Sequence, residues 1–180
     1  MKELELQKAF MLIEPGPVTM ITTSHEGKHN IMTISWTMVM DFTPRFALCT
    51  GSWNYSYEAL VESGECVIGI ATADLVDTIL DVGTTTGRET DKFARFGLTP
   101  LPASQISAPL IKECYVNIEC RVADHIKQHD IFVLDGVKAW INESHKDKRI
   151  LHARGDGTFI ADGEIFERRK RMGDKLPPGV

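Results

Sequence analysis

The sequence predicts a mainly β fold, a small closed or split antiparallel barrel of Greek-key-like type with short helices inserted. Six or seven segments have the composition and alternation of β-strands, and the first of them form a hairpin that leads into a meander. The stretches with helical spacing are short. The regular strand–helix–strand alternation of a doubly wound sheet is missing, which excludes that class.

Composition indicates a single domain over residues 1–180, with a barrel core of about 14–160 and a tail over 161–180. The chain is 43 % hydrophobic and 25 % charged, as in soluble globular proteins, and its net charge of −5 argues against a nucleic-acid partner. No apolar run approaches the roughly 20 residues of a membrane span. Residues 1–5 lack an apolar signal-peptide core. We therefore expect a cytoplasmic protein that binds neither nucleic acid nor membrane.

The first part of the chain predicts a helix followed by two antiparallel strands. Residues 1–14 have one apolar side and suit a short helix, which Pro15-Gly16-Pro17 would end. The β-branched run Val18 to Thr23 predicts a strand, and Gly27 supplies the positive φ of the following turn. Asn30 to Trp36 predicts the returning strand, which extends at most to Met40.

The strand over residues 30–36 alternates between two faces. Asn30, Met32, Ile34 and Trp36 would point one way, and Ile31, Thr33 and Ser35 the other. Two hydroxyl groups on one face and an indole at the end of the other are unusual in a purely structural strand. The pattern indicates a strand that packs on one side and holds a polar, planar molecule on the other.

The centre of the chain predicts two strands and two helices. Arg45 to Thr50 is a third strand, followed by a helix with Tyr57, Leu60 and Val61 on one side and a stop at Ser63-Gly64. Cys66 to Ala71 is apolar and predicts a buried strand. A second helix begins at Asp74, carries Leu75, Val76, Ile79 and Leu80, and precedes Gly83. Residues 84–93 then predict a polar loop that enters a short helical turn.

The second half predicts a return to β structure after a surface excursion over residues 97–109, which contains three prolines. Val116, Ile118, Cys120 and Val122 alternate with Asn117, Glu119 and Arg121, which predicts a strand with one buried and one wet face. A turn at His125 to His129 leads to a long strand over Asp130 to Ile141, in which Gly136 marks a bulge or a close approach. A charged turn and a last β segment over 150–160 follow.

The cysteines and histidines predict no metal centre. Cys49, Cys66, Cys114 and Cys120 lack C-x-x-C spacing, and in a cytosolic chain buried reduced thiols are expected. His125 and His129 are four residues apart, but they lie in a predicted turn with no carboxylate at metal-site spacing.

Three polar clusters indicate where a ligand binds. They are Thr33/Ser35/Trp36, Ser52/Asn54/Tyr55/Ser56 and Arg88/Lys92. The second cluster opens a helix, where backbone N–H groups and the helix dipole favour an anion. Arg88 and Lys92 are expected on one side of a helical turn, where a guanidinium fork and an ammonium would suit a phosphate monoester. The alternatives are that Ser52 and Asn54 only cap the helix and that the two cations are only solvated.

These clusters resemble the flavin reductase-like, FMN-binding split barrel family, and its flavoredoxin-type subgroup in particular. The resemblance lies in Asn30-x-Met32-Thr33-x-Ser35-Trp36, in the Ser-x-x-Tyr-Ser-Tyr-Glu run from Ser52 to Glu58, and in Thr86-Gly87-Arg88-x-x-Asp91-Lys92-Phe93. It covers about residues 14–160, and it depends on the order and spacing of all three motifs.

The resemblance implies a homodimer that binds FMN near the subunit interface. By the same resemblance, Met32, Thr33, Ser35 and Trp36 contact the isoalloxazine and its chain, and Gly51, Ser52, Tyr55, Ser56 and Lys92 lie by the ribityl phosphate. Asn30, Thr50 and Arg88 complete the expected cofactor site. Many relatives carry Gly-Asp-His before the late strand. Here the stretch is Lys127-Gln128-His129-Asp130, so only His129 matches, as the candidate catalytic residue on the nicotinamide side.

Two activities follow from the resemblance. In the first, NADH or NADPH delivers hydride to the flavin, which then passes electrons to a second acceptor. In the second, a non-enzymatic carrier keeps FMN bound and is reduced by a redox partner protein; the departure from Gly-Asp-His favours this activity. From the residues alone, a barrel that takes another planar ligand such as haem, or none, is a third hypothesis. Cys49, His152 and Arg154 are left without assigned roles.

Overall fold

The computed structural model describes residues 16–41 and 43–172, and β structure dominates this part of the chain. The strands are β1 Thr19–His25, β2 Lys28–Ile34, β3 Thr37–Val39, β4 Arg45–Cys49, β5 Glu65–Ile70, β6 Pro100–Leu101, β7 Leu110–Ile111, β8 Val116–Ile126, β9 Ile131–Ile141, β10 Leu151–Ala153 and β11 Phe159–Ala161. The α-helices are α1 Ser56–Ser63, α2 Val76–Thr84, α3 Lys92–Arg95 and α4 Arg169–Met172. Two 3₁₀ turns cover Ala73–Leu75 and Lys127–His129. The predicted N-terminal helix over residues 1–14 lies outside the described residues, as do residues 173–180.

Seven antiparallel strands form one sheet in the order β2-β1-β5-β8-β9-β4-β3. The two edge strands are consecutive in the chain, because β2 ends at Ile34 and β3 begins at Thr37. A link this short spans only about 10 Å, so the sheet has to curl until its two edges approach each other. The sheet is therefore a half-barrel, and the predicted fold class is confirmed.

The core lies on both sides of β1 and β2. Ile21 and Met32 pack with Leu48, Phe132 and other side chains inside the curled sheet. Met20 and Ile31 pack in a second cluster with Ile79 and Val82 of α2 and Phe93 of α3, among others. α2 and α3 cover the face that carries Ile31, so the predicted contact of this face with a planar ligand is limited to Thr33 and Ser35, which line clefts.

Several predicted turns are confirmed. Gly27 follows β1 with a φ of 74°. Gly64 ends α1 in the left-handed region, with a φ of 65°, and its N–H bonds to the carbonyl of Leu60. Gly136 lies at a register shift between β8 and β9, and a Cβ atom there would come within 3.1 Å of the Pro44 carbonyl oxygen. Both a bulge and a close approach explain this glycine.

The second helix departs from the prediction at its end. α2 runs through Gly83 to Thr84, because glycine lowers helix stability without forbidding a helix. Its buried side chains are Ile79 and Val82, whereas Leu80 is 49 % exposed. The face of α2 that carries Ile79 and Val82 therefore packs against Ile31 of β2.

The predicted wet face of β8 is covered in part, since Arg121 is exposed as predicted. Asn117 and Glu119 are both buried. The excursion that contains β6 and β7 folds over them: Asn117 bonds to the backbone N–H and carbonyl of Ile111, and Glu119 accepts hydrogen bonds from the N–H groups of Ser104 and Gln105. The period-2 pattern of the strand was right, but the excursion, whose contacts are 6 to 15 residues away in sequence, decides which side chains are buried.

In the described residues, no helix is both long enough and apolar enough to cross a membrane. The four cysteines are free thiols; Cys66, Cys114 and Cys120 are buried and Cys49 is half-buried. Burial raises the pKa of the Cys49 thiol, and the nearby carboxylate of Asp130 adds to the effect.

Candidate functional site

A cleft with a volume of about 200 Å³, here called the polar cleft, runs along the free edge of β2. Six of the predicted site residues line it, namely Asn30, Met32, Thr33, Tyr55, Ser56 and Lys92. The opposite wall is formed by residues 82–87, at the end of α2 and in the loop that follows. Because residues from both faces of β2 border the cleft, it follows the edge of the strand rather than one face.

Lys92 is the charged group of this cleft. Its side chain is only 5 % exposed, and Nζ donates hydrogen bonds to the carbonyl oxygens of Ile31 (2.8 Å) and Val82 (2.9 Å). Burial lowers the pKa of Lys92 to about 8. Among the residues that the structure describes, no carboxylate forms an ion pair with it. An ammonium has three N–H donors, so one remains for an anion in the cleft.

The floor of the polar cleft is fixed by a buried side-chain pair. Asn30 Nδ2 donates a hydrogen bond of 2.8 Å to Ser56 Oγ, which joins β2 to the first residue of α1. Gly87 lies directly against this pair, because a Cβ atom there would come within 2.0 Å of Asn30 Oδ1. Glycine allows the loop to approach so closely without displacing the Asn30 carboxamide.

The hydroxyl groups of Thr33 and Thr50 have partners within the protein. Thr33 Oγ1 donates to the Ile79 carbonyl at 2.8 Å, so it offers a ligand only its lone pairs. Thr50 Oγ1 is buried, receives a hydrogen bond of 3.0 Å from Asn54 Nδ2 and lies 3.9 Å from Met32 Sδ. Thr50 therefore supports the floor from behind and does not line the cleft.

The start of α1 is not capped by a side chain. Its N-cap residue is Tyr55, and no side-chain hydrogen bond closes this end, because Asn54 bonds to Thr50 instead. The alternative that Ser52 and Asn54 only cap the helix is therefore wrong. The first turn of α1 faces the polar cleft through Ser56.

A second cleft of about 430 Å³, here called the vestibule, shares Trp53, Asn54, Tyr55 and Thr86 with the polar cleft. Ser52 and Arg88 line it. The Arg88 guanidinium lies 5.5 Å from the centre of the Tyr55 ring. Gly51 lies behind the Trp53 indole, where a Cβ atom would come within 2.3 Å of the ring.

The two predicted cations do not share a helical turn. α3 begins at Lys92, because the Asp91 carboxylate caps it by accepting a hydrogen bond of 3.1 Å from the Ala94 N–H. Arg88 precedes the helix in an exposed bend. Lys92 thus reaches the polar cleft and Arg88 the vestibule.

Ser35 and Trp36 form the link between the two sheet edges and lie on another side of the barrel. They line an apolar cleft of about 670 Å³ with Met38 and Met40, and the Trp36 side chain is 54 % exposed. Ser35 and Thr33 together border a smaller cleft of about 270 Å³ beside the β10–β11 turn. Thr33 is therefore the residue that connects the polar cleft to the Ser35 end of β2.

His129 lies at the end of the 3₁₀ turn before β9, and its side chain is exposed. Its carbonyl oxygen is 3.9 Å from Cys49 Sγ, and the Thr50 N–H donates a hydrogen bond of 2.9 Å to the Asp130 carbonyl. The turn is thus fixed beside Thr50, while the imidazole does not border the polar cleft. Its catalytic role stays a prediction.

The wall over residues 82–87 was not predicted as part of the site. It brings backbone and the side chains of Thr84, Thr85 and Thr86 to the cleft. Three hydroxyl residues between Gly83 and Gly87 were the available signal, but the use of the Val82 carbonyl cannot be inferred from a side-chain pattern. In the described ranges, no group of three or more His, Cys, Asp or Glu side chains is placed to hold a metal ion.

Comparison with known proteins relates the chain to one family. The model of the family described as flavin reductase like domain matches residues 11–160. A flavoredoxin from Methanosarcina acetivorans has a TM-score of 0.81 and 22 % identity, over 98 % of this chain and 99 % of that one. A flavoredoxin of Desulfovibrio vulgaris (Miyazaki F) has a TM-score of 0.79 and 24 % identity, over 86 % of this chain and 90 % of that one. An FMN-binding domain of a flavin reductases-like enzyme from Shewanella baltica OS155 has a TM-score of 0.77 and 24 % identity, over 92 % of this chain and 96 % of that one. At these identities, the three structures establish the fold.

Proposed function

The chain belongs to the flavin reductase-like domain family, and from this premise we propose that it binds FMN and catalyses NAD(P)H-dependent flavin reduction. The observation that carries the proposal is the buried Lys92, which lines the polar cleft with Ser56 and has no carboxylate partner in the described residues. A buried cation is unfavourable unless an anion compensates it, and the phosphate of FMN is such an anion.

The residues present fit the phosphate end of FMN. Lys92 supplies one remaining N–H and a positive charge, and Ser56 is held in place by Asn30. The loop at Gly87 leaves room because it has no side chain to place against Asn30. We propose that these four residues bind and orient the phosphate.

We propose that the isoalloxazine ring of FMN lies beyond the polar cleft, at the C-terminal end of β2. Thr33 borders both the polar cleft and the smaller cleft that Ser35 lines, and Ser35 also borders the apolar cleft with Trp36 and Met38. Hydroxyl and backbone groups at a strand end suit the polar edge of an isoalloxazine, and an indole suits its face. When bound, FMN supplies the hydride and electron chemistry, while the protein binds and orients it.

The proposed assembly is a homodimer. Trp36, Met38, Val39 and Met40 are between 44 % and 66 % exposed, and they form a run of large apolar side chains at the β3 edge. A patch of this kind is typical of a protein–protein interface. Light scattering after size-exclusion chromatography tests the assembly, and a mass of one chain would exclude it.

Purification and flavin titration test the binding proposal. The protein is expected to be yellow, or to acquire a flavin spectrum when FMN is added. A colourless protein that leaves the spectrum and fluorescence of added FMN unchanged would exclude it. Riboflavin is the matched ligand, because it has the same ring system without the phosphate that Lys92 is proposed to bind.

A second candidate function is that of a non-enzymatic FMN electron carrier. It is favoured by Lys127-Gln128-His129 in place of Gly-Asp-His and by an imidazole that does not border the polar cleft. Stopped-flow mixing of the FMN-loaded protein with NADH and with NADPH separates the two functions. Rapid bleaching of the flavin with either nucleotide supports the reductase. Flavin that stays oxidised with both, yet is reduced by a reduced redox protein, supports the carrier.

A further inference from the structure

The vestibule outside the polar cleft has the lining of a nucleotide site, although nothing in the proposed FMN chemistry requires most of it. Its volume of about 430 Å³ lies in the range of small-molecule pockets. Aromatic rings and charges of both signs line it: Trp53, Tyr55, Tyr57, Glu58, Glu62 and Arg88. It shares Trp53, Asn54, Tyr55 and Thr86 with the polar cleft, so a ligand there would lie next to the proposed phosphate position.

The aromatic part of the vestibule offers a stacking surface. The Trp53 side chain is 63 % exposed and the Tyr55 side chain 38 %, although both are large and apolar in body. The Trp53 ring lies against Gly51, where a Cβ atom would come within 2.3 Å of it, and Trp53 lines both clefts. A flat heterocycle that stacks on this indole would bury surface that is now in water.

The charges are separated in a way that matches a nucleotide. Glu58 and Glu62 are four residues apart on α1 and therefore share one face of the helix. Carboxylates at such positions accept hydrogen bonds from the hydroxyls of a ribose, and they repel a phosphate attached there. Arg88, which belongs to the loop across the vestibule, carries the guanidinium that would pair with a 5′-phosphate.

We propose that the vestibule binds a 5′-phosphorylated adenosine that has a free 2′-hydroxyl group. The base stacks on Trp53, the ribose hydroxyls bond to Glu58 and Glu62, and Arg88 binds the phosphate. This inference rests on the proposed function, because the polar cleft beside it is assigned to the FMN phosphate. Two molecules could supply this 5′-phosphorylated adenosine, namely FAD and NADH, since each contains one.

Calorimetric titration of the FMN-loaded protein with ADP tests the site, with the 2′-phosphate ester of ADP, which differs from ADP only at the 2′-position, as the matched ligand. We expect ADP to bind at least about tenfold more tightly than the 2′-phosphorylated ligand, because two carboxylates face the ribose. Glu62→Gln is expected to weaken ADP binding about fivefold. Glu62→Lys should remove most of the preference for ADP. Glu143→Gln, in the turn after β9, is the control and should leave ADP binding unchanged.

Two further titrations show whether the vestibule binds the adenosine half of FAD or that of NADH. If FAD binds the flavin-free protein more tightly than FMN, and Glu62→Gln removes that gain, the vestibule holds the second half of FAD. If FAD shows no gain and NADH displaces ADP from the FMN-loaded protein, the vestibule holds the adenosine of the pyridine nucleotide.

The inference is overturned if the FMN-loaded protein takes up no ADP at millimolar concentration, or if Glu58→Gln and Glu62→Gln both bind ADP as the wild type does. In either case the protein still contains FMN, so the proposed function survives. A protein that binds no flavin would instead remove the proposed function. ADP titration of that flavin-free protein would still test the vestibule.

Discussion

The Nζ atom of Lys92 lies 2.8 Å from the carbonyl oxygen of Ile31, so that a cation at the start of α3 is fixed against the free edge of β2. A second hydrogen bond to Val82 attaches the end of α2 to the same amine. Three elements therefore meet at one charged atom, which retains one N–H for a ligand. The same ammonium that bonds to the edge strand β2 is therefore the positive charge of the polar cleft.

Replacing the cation should weaken FMN binding. Lys92→Met keeps much of the apolar stem and removes the charge, and we expect a loss of about 1.5–3 kcal/mol in FMN affinity, the range for a hydrogen bond to a charged group. Quenching of FMN fluorescence measures the dissociation constant, and thermal unfolding verifies that the variant folds. Lys112→Met, at an exposed lysine after β7, is the control. Wild-type affinity in a folded Lys92→Met variant would contradict the assigned role.

The affinity for FMN should fall at alkaline pH. Burial lowers the pKa of Lys92 to about 8 in the free protein, so the amine loses its charge well below its ordinary value of 10.5. Dissociation constants measured at about pH 7 and about pH 9.5 should therefore differ for FMN but hardly for riboflavin. The Lys92→Met variant should lose this pH dependence. Equal pH profiles for FMN and riboflavin would refute the prediction.

The stability of the flavin-free protein should show the opposite trend. Between about pH 8 and pH 10.5, the unfolded chain retains a proton on Lys92 that the folded chain has released. Because the unfolded state then binds more protons, the contribution of Lys92 to the free energy of unfolding rises with pH across this window. Urea unfolding of the wild type and of Lys92→Met at both ends of the window measures the difference. A contribution that falls with pH would contradict the assigned pKa.

A side chain at Gly87 should disrupt the floor of the polar cleft. Alanine would place its Cβ atom 2.0 Å from Asn30 Oδ1, so the carboxamide or the loop has to move and the 2.8 Å bond to Ser56 weakens. We expect Gly87→Ala to lower the free energy of unfolding by about 1–3 kcal/mol and to weaken FMN binding. Gly163→Ala is the control, because a Cβ atom there meets nothing within 4 Å. An unfolding midpoint equal to that of the wild type would show that the contact is not tight.

The β1–β2 hairpin could be anticipated because antiparallel neighbours with short turns leave local signals. The meander expected after it is wrong, since β1 also pairs with β5 and β4 pairs with β9. The hairpin at Gly27 and the end of α1 at Gly64 both depend on residues adjacent in sequence. The gathering of Thr33, Ser56 and Lys92 at one cleft was likewise anticipated, although only through the resemblance of three motifs to a known family.

Two of the errors concern distant partners, and one overlooked a local signal. The period of β2 gave no sign that α2 would cover Ile31, because that requires knowing how Ile79 and Val82 rotate toward the strand. Arg88 was placed on a helical turn with Lys92, although Asp91 offered a local signal for a helix that begins one residue later. Glu119 looked exposed by alternation, and only the fold of the proline-containing excursion makes it buried.

The buried carboxylate of Glu119 should make stability sensitive to its hydrogen-bond donors. Burial alone would raise the pKa of Glu119, but hydrogen bonds from Ser104, Trp140 and Gln105 outweigh it and lower the pKa. Trp140→Phe removes the donor that lies 2.7 Å from Oε1, and we expect it to reduce the free energy of unfolding by about 1.5–3 kcal/mol near neutral pH. Trp53→Phe, at an indole that is 63 % exposed, is the control.

The same carboxylate predicts a loss of stability in acid. A folded-state pKa below the unfolded value contributes stability above the unfolded pKa and loses it as pH falls through the folded pKa. The difference in unfolding free energy between Trp140→Phe and the wild type should therefore shrink at acid pH. A difference that is constant from neutral to acid pH would show that Trp140 does not act through the charge of Glu119.

His129 should affect hydride transfer without affecting flavin binding. The 3₁₀ turn places it next to Asp130, whose carbonyl accepts a hydrogen bond of 2.9 Å from the Thr50 N–H, and its side chain is exposed. If it contacts the nicotinamide or donates a proton, His129→Ala should slow NADH-dependent flavin bleaching by about 10²-fold, the lower range for general acid catalysis. The dissociation constant for FMN should stay the same. His25→Ala, at the β1–β2 turn, is the control. A wild-type bleaching rate in His129→Ala would show that His129 neither donates a proton nor contacts the nicotinamide.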